Sequence, residues 1–456
     1  MGKRVTDTTS STSGNEATAY HTVQEQLQNK ISNSPMKPVQ LMALIMCFVL
    51  NMIDGMDVLI VSFTSSSLEI EWGLSKTQLG YIFSAGLFGM MLGCLFLAPI
   101  ADKIGRFKLL FISTALIAFG MLATALLNTL EQMLVLRFIT GLGIGGILPT
   151  MTAIASEFAN EKNRNFSVGF VQGGWSVGAI LTGFFVAWAV PQFGWRIVYA
   201  TAGSISFAML PLIYFFMPET LSFLAKNQPK NALPKINSLL KRMGHEQINH
   251  LPKRPNDTIT KTSLRDLFGS SLLRPTLLLW SGIFFAFMTL YTLISWIPNI
   301  ATTSGMPFEL ATYAGMALNV GAFFGTVGIG WLATWFKISR LIFIYMLCGF
   351  LFMSIYANLQ MDYGVMFGLI FFIGISAQGG ITGFYPAAAR VYNAHIRTTG
   401  IGWAVGIGRF GAIIGPALFG ILFDAGIAIQ TMFIIFSFPL LLAGVAAFLI
   451  PNKNLE

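Results

Sequence analysis

Met42-Ala-Leu-Ile-Met-Cys-Phe-Val-Leu-Asn51-Met-Ile-Asp54-Gly-Met-Asp57-Val-Leu-Ile-Val61 is the stretch whose reading decides the fold. Without its two acids it is a plain membrane span, apolar and close to the roughly 20 residues that cross a bilayer as a helix. A carboxylate near the middle of a bilayer is costly and is kept for ion or substrate traffic more often than for packing. Asp54 and Asp57 are three apart, which puts them on one face of such a helix. That face must look into a watery or protein-lined interior and not at lipid. The pattern implies a membrane protein that passes something through its middle.

The rest of the chain agrees. Of 456 residues, 54% are hydrophobic and only 10% charged, against about 25% charged in soluble domains. Twelve runs have spanning length: 39–63, 78–101, 108–128, 131–156, 167–190, 196–217, 274–298, 309–336, 340–358, 363–389, 399–423 and 428–450. The expected organisation is a disordered cytoplasmic tail (1–38), a six-helix bundle (39–217), a polar linker (218–273), a second six-helix bundle (274–450) and a short tail (451–456). The linker carries Lys226, Lys230, Lys235, Lys241 and Arg242 among other cations, and should form one or two short surface helices. The first 36 residues lack an apolar core and do not read as a signal peptide.

Charge sets the expected orientation. With the N-terminus inside, external loops hold only Lys76 and Arg196. Arg137 and Arg409 fall within spans, and every other Lys or Arg lies in cytoplasmic segments or at cytoplasmic helix ends. This is the positive-inside bias, so the formal charge of +9 is a topology signal and argues against a nucleic-acid partner. Both termini are expected in the cytoplasm. The three cysteines, Cys47, Cys94 and Cys348, lie in apolar runs with no metal-ligand spacing.

The halves look like a divergent repeat. Gly145-Gly146 precedes Glu157 and Arg164 at the end of span four; Gly379-Gly380 precedes Arg390 and Arg397 at the end of span ten. Span two ends in Ala98-Pro-Ile-Ala-Asp102-Lys-Ile-Gly105-Arg106, and span eight ends in Gly330-Trp-Leu-Ala-Thr334-Trp-Phe-Lys337-Ile-Ser-Arg340 at the matching place. A parallel six-helix repeat is a known transporter architecture. The expected fold class is therefore all-α integral membrane, twelve transmembrane helices in two pseudo-symmetric six-helix bundles.

These motifs also carry a resemblance. Asp102-Lys-Ile-Gly105-Arg106 and Arg137-Phe-Ile-Thr-Gly141-Leu-Gly143 resemble the loop 2–3 and fourth-helix signatures of the major facilitator superfamily. Within it, four segments resemble the aromatic acid:proton symporter family: Asp54-Gly-Met-Asp57, Pro218-Glu-Thr-Leu-Ser-Phe-Leu224, Arg397-Thr-Thr-Gly-Ile-Gly-Trp403 and Gly408-Arg409-Phe-Gly-Ala-Ile-Ile-Gly-Pro416. Two places depart from the pattern. Tyr392-Asn393 stands where the family has Tyr-Pro, and Thr334 replaces the acid of the second-half loop signature, which suggests an asymmetric inner gate. The resemblance implies a proton-coupled symporter that imports a small organic acid, an aromatic carboxylate first of all, by alternating access. It implies a monomer in a bacterial inner membrane, with protons as coupling ion, no other cofactor, no metal and no enzymatic activity.

Candidate site residues follow. Burial disfavours the charged form of a carboxylate, so Asp54 and Asp57 are expected to load and release protons; Asp57 lies nearer the outer surface and has a substrate contact or external gate as its alternative role. An arginine deep in a span needs an anion. Arg137 is expected either to pair with Asp54 or to bind the substrate carboxylate, and Arg409, among Gly406, Gly408 and Gly411, to supply a second carboxylate ligand. Tyr291 and Gln378, then Gln172, Trp175, Trp296, Asn319, Phe384 and Tyr385, offer the stacking and polar contacts an aromatic ligand wants. By resemblance Asp102, Arg106, Glu157, Arg164, Arg390 and Arg397 form an inner gate of inter-helix ion pairs. The glycine runs in spans two and four follow no strand, so they read as close helix packing and not as nucleotide loops. Rival readings are a symporter for muconate-like or aliphatic acids, an efflux antiporter of the same fold, and a non-transporting receptor. The proline-containing antiporter signature is missing from span five, and the intramembrane acids with matching arginines argue against a receptor.

Overall fold

The computed structural model describes residues 34–251, 267–269, 272–358, 362–392 and 396–451; the side chain of Arg397, the loop histidine His395 and most of both expected tails lie outside the described residues. Among the described residues, twelve helices are long and apolar enough to cross a membrane. They are span one Pro38–Trp72, two Lys76–Ile104, three Arg106–Thr124, four Leu130–Phe158, five Arg164–Phe193 and six Arg196–Phe216, then seven Leu273–Thr303, eight Phe308–Leu332, nine Ile338–Asn358, ten Tyr363–Val391, eleven Arg397–Asp424 and twelve Ile429–Phe448. Local chemistry sets their ends. Gly73 takes a left-handed φ of 62° and stops span one, and the Ser75 side chain accepts the Gln78 N–H at 3.2 Å to start span two. Gly105, at φ 105°, turns the chain between spans two and three. Two short helices, Leu221–Asn227 and Ala232–Arg242, occupy the linker.

Packing repeats with a shift of six. Spans one and five, two and four, three and six, and three and four pack together; so do seven and eleven, eight and ten, nine and twelve, and nine and ten. Between halves, span two meets eleven, span five meets eight and span one meets seven. The glycine runs make this possible. A side chain at Gly89, Gly93, Gly141 or Gly145 would collide with the backbone of the facing helix in the span two–span four pair.

Span one continues past the expected limit of 63 to Trp72, and span seven past 298 to Thr303. The extra turns are polar, which ends a hydropathy signal, but they face the other half and not lipid. Ser62 Oγ donates to the Ile294 carbonyl (2.6 Å) and Ser66 Oγ meets Thr302 Oγ1 (2.7 Å). Ser84 of span two donates to the Ile413 carbonyl of span eleven (2.7 Å). These inter-half bonds cluster at the end away from the N-terminus, so the halves are sealed there. Toward the other end, Tyr385 of span ten is 42% exposed.

Candidate functional site

Arg137 on span four and Asp57 on span one form a fully enclosed ion pair. Arg137 Nη2 reaches Asp57 Oδ1 at 2.6 Å, and the two side chains are 2% and 5% exposed. The guanidinium also lies 5.7 Å from the Tyr199 ring centroid, and Nη1 donates to the Asp57 carbonyl at 3.4 Å. This corrects the expected pairing of Arg137 with Asp54. Asp57 is about one helical turn further along the span, and that turn brings it, not Asp54, level with Arg137. An ion pair this enclosed holds its geometry because neither partner can leave without stranding the other charge.

Asp54 has a different environment. It is 3% exposed, and its Oδ1 has no hydrogen-bond partner among the described residues. Arg409 of span eleven lies within Coulombic reach, yet the two form no ion pair among the described residues. Gly55 explains the depth of this face. The helix runs unbroken through it, and a Cβ there would collide with the Trp175 carbonyl, so span five packs directly on span one. Asn51 secures the same contact, donating to the Val171 carbonyl at 2.8 Å.

Arg409 is half-buried and has no carboxylate partner among the described residues. Its Nη1 donates to Tyr291 Oη (2.8 Å) and touches Met90 Sδ (2.8 Å); its Nε has no partner among the described residues. The Phe287 and Tyr291 ring centroids each lie 5.7 Å from the guanidinium carbon. A pocket between the halves runs on from here, with Asp57 and Arg137 on one wall and Tyr291 and Ser295 on the other. A cation ringed by aromatic faces, with a lone carboxylate across from it, can hold a planar anion and exchange a proton beside it.

The other expected ligands divide. Tyr291 and Tyr385 sit with Arg409. Gln172 is exposed and donates to Thr152 Oγ1 (2.9 Å), and Gln378 makes no hydrogen bond to Arg409, Tyr291 or Asp54 among the described residues. Trp175 is half-buried and contributes the backbone against Gly55. Trp296, Asn319 and Phe384 are each 1% exposed and belong to packing. Trp296 Nε1 donates to the Pro416 carbonyl (3.1 Å) in the seal, Asn319 bonds back to the Gly315 carbonyl (2.8 Å), and Phe384 fills the space beside Gly282. Periodicity marks such residues as interior, and only tertiary contact separates cavity from core.

At the N-terminal end, Arg106 pairs with Glu157 at 2.7 Å and bonds Thr220 Oγ1 at 2.7 Å. Glu219 accepts the Arg106 N–H (3.1 Å), and the Asn227 amide donates to the Asp102 carbonyl. Arg164 Nε has no partner among the described residues, and Arg390 is exposed. Among the described residues, Arg106, Glu157, Glu219, Thr220, Asn227 and Asp102 thus form a cluster that ties the first half to the linker.

Sequence reading missed the opposite seal. Lys76, read as a loop cation, is 6% exposed; its Nζ holds Glu69 (2.7 Å), Asn299 (2.8 Å) and Thr303 (3.1 Å). Asp424, at the end of span eleven, accepts the N–H groups of Lys76 (3.2 Å) and Thr77 (2.7 Å) and so caps span two from the other half. No spacing rule links Lys76 to Asn299 or Asp424 to Thr77.

The sequence profile described as Major Facilitator Superfamily matches residues 46–361, more than half of the chain. The chain belongs to the major facilitator superfamily. It is 30% identical over 419 residues to the gallate transporter of Pseudomonas putida, covering 91% of this chain and 93% of that one. It is 30% identical over 396 residues to the 4-hydroxybenzoate transporter PcaK of Acinetobacter baylyi, covering 85% and 86%. Among solved structures it is similar to the D-xylose-proton symporter, with a TM-score of 0.72 at 16% identity over 91% of this chain and 98% of that one, which is a likeness of fold. The family and these relatives are transporters, not enzymes.

Proposed function

We propose that the chain is a proton-coupled importer of a small aromatic carboxylate, working by alternating access between its halves. The observation that carries this reading is a guanidinium without an anion among the described residues. Arg409 sits among Tyr291, Phe287 and Tyr385, with the unpartnered Asp54 within Coulombic reach. A carboxylate offers Arg409 the bidentate partner it lacks, and the rings offer faces and edges to an aromatic cargo. The names of the relatives, gallate and 4-hydroxybenzoate, fit that chemistry.

Asp57 is held by Arg137, which leaves Asp54 as the proton carrier. One proton with one monoanion moves no net charge, so uptake should follow the pH gradient and ignore membrane potential; a second proton would add roughly 2.3 kcal/mol per 100 mV. The cation-rich end faces the cytoplasm of a bacterial inner membrane, with both termini on that side. The open end is then the inner one, and the monomer stands inward-facing. Proteoliposomes with an alkaline interior should accumulate labelled 4-hydroxybenzoate or gallate. Uptake confined to muconate or aliphatic acids would reassign the cargo, and movement only out of the vesicle would favour efflux.

A further inference from the structure

Span two changes its winding beside the candidate site. After Leu92 the helix widens into a π-turn over Gly93–Leu97, where the Ala98 N–H reaches back to the Gly93 carbonyl, and then tightens over Ala98–Ile100. Pro99 lies in this irregular stretch, and single π-turns inside α-helices recur at functional sites. Gly93 and Gly145 let span four press against its back; a side chain at Gly145 would collide with Met90 and Cys94 backbone atoms. The front therefore turns toward the gap between the halves. Met90, one turn before Cys94, touches Arg409 there. Cys94 is half-buried, and Arg409, Asp54 and Tyr385 all lie within its Coulombic reach. Asp54, 3% exposed and with an Oδ1 that has no partner among the described residues, adds an unsatisfied buried acceptor to this neighbourhood, the observation on which the proposed function also draws.

We propose that Cys94, presented by the π-turn, forms the wall of the substrate site beside Arg409 and sets how broad a ring fits next to the bound carboxylate. This rests on the aromatic-acid reading and extends it to a residue that sets specificity. A thiol suits the position because it is small and soft, leaves room for a ring edge and makes favourable sulfur–aromatic contacts. A bulkier side chain on the widened turn would project into the gap, because the backbone of span four blocks retreat.

The test uses the full-length protein with Cys348→Ser, Cys47 being fully buried. Alkylation of Cys94 by N-ethylmaleimide is followed with and without 4-hydroxybenzoate, whose binding is measured on the same sample by calorimetry. At about 100 times the measured Kd, the free fraction falls about 100-fold and the alkylation rate should fall with it. Cys94→Leu should lose the ring-hydroxylated acid by a clearly larger factor than benzoate, and Cys94→Ser should shift the ratio of the two acids less than Cys94→Leu does. Binding without protection, or equal losses for the two acids in Cys94→Leu, overturns the assignment and leaves the aromatic-acid reading standing. If neither acid binds the protein at all, both fall together.

Discussion

Arg137 and Arg409 lie deep inside spans of this transporter, and they are in opposite conditions. Arg137 is enclosed with Asp57 at 2.6 Å, its anion supplied by the chain itself. Arg409 is half-wet, leans on Tyr291 and Met90, and has no carboxylate partner among the described residues. The same residue type thus has its anion supplied by the chain in the first half and, among the described residues, has none in the second. A buried charge asks for a partner wherever it is. Whether the protein or the cargo provides it decides whether the site binds anything. Asp54 completes the contrast, since it sits one turn from the paired Asp57 yet leaves an oxygen unpartnered.

The comparison breaks first at Asp57. Asp57→Asn strands the Arg137 cation, and removing one partner of a buried pair costs about 3–5 kcal/mol. The expected result is a large fall in melting temperature or yield, with partial recovery in the double variant Asp57→Asn/Arg137→Gln. Full stability of the single variant would mean that Arg137 finds another anion, and the contrast with Arg409 would dissolve.

Arg409→Lys should behave in the reverse way. The fold has little invested in this cation, so stability should hardly change. A lysine lacks the planar fork, and disrupting a buried charged contact costs about 2–5 kcal/mol, so affinity for 4-hydroxybenzoate should drop at least about 30-fold by calorimetry. A loss of folding without a loss of affinity would transfer the binding role to Arg137.

Asp54→Asn tests the carrier. The variant should still exchange labelled for unlabelled acid across a vesicle membrane but should not concentrate it. The wild type can reach about tenfold accumulation for each unit of pH gradient at one proton per anion, equivalent to about 1.36 kcal/mol. Accumulation at wild-type level by Asp54→Asn would remove Asp54 from coupling.

How much of this was legible beforehand differs between fold and site. The twelve spans, the repeat and the superfamily can be read from apolar run length, cation placement and the Asp102–Arg106 and Arg137–Gly143 motifs, because the bilayer imposes those patterns locally. The intramembrane charges Asp54, Asp57, Arg137 and Arg409 could be singled out as candidates because their cost demands a reason. Their pairing could not, since it turns on a helical step of one turn between Asp54 and Asp57. Trp296, Asn319 and Phe384 carry the same apolar-helix signature as Tyr291, and only packing separates them. The seal at Lys76 and Asp424 was hidden for the same reason, its partners lying hundreds of residues away.

That seal sharpens the comparison at lower energy. Lys76→Met removes the bonds to Asn299 and Thr303, which cross between the halves and need the far end closed, along with the bond to Glu69 within the first half. At about 1–2 kcal/mol for the net loss, the balance should move roughly tenfold toward the state open at that end. Accessibility of an engineered cysteine near Ser66 would report it. An unmoved balance would make the cluster a helix-packing feature and not a gate.

The smallest effect is expected at Glu219, outside the spans, where the Arg106, Phe107 and Thr220 N–H groups meet its carboxylate. Burial pushes this carboxyl above its ordinary value of 4.5, and the backbone donors only partly oppose that. The folded protein then holds the proton more tightly than the unfolded chain. Stability should therefore fall as pH rises from 4.5 through the raised value. Glu219→Gln carries no such charge, so its melting temperature should match wild type at acidic pH and exceed it slightly once Glu219 ionises. Parallel curves at every pH would mean that the three backbone donors, not burial, set the state of this carboxylate, and that the inner end is held by a true anion cap.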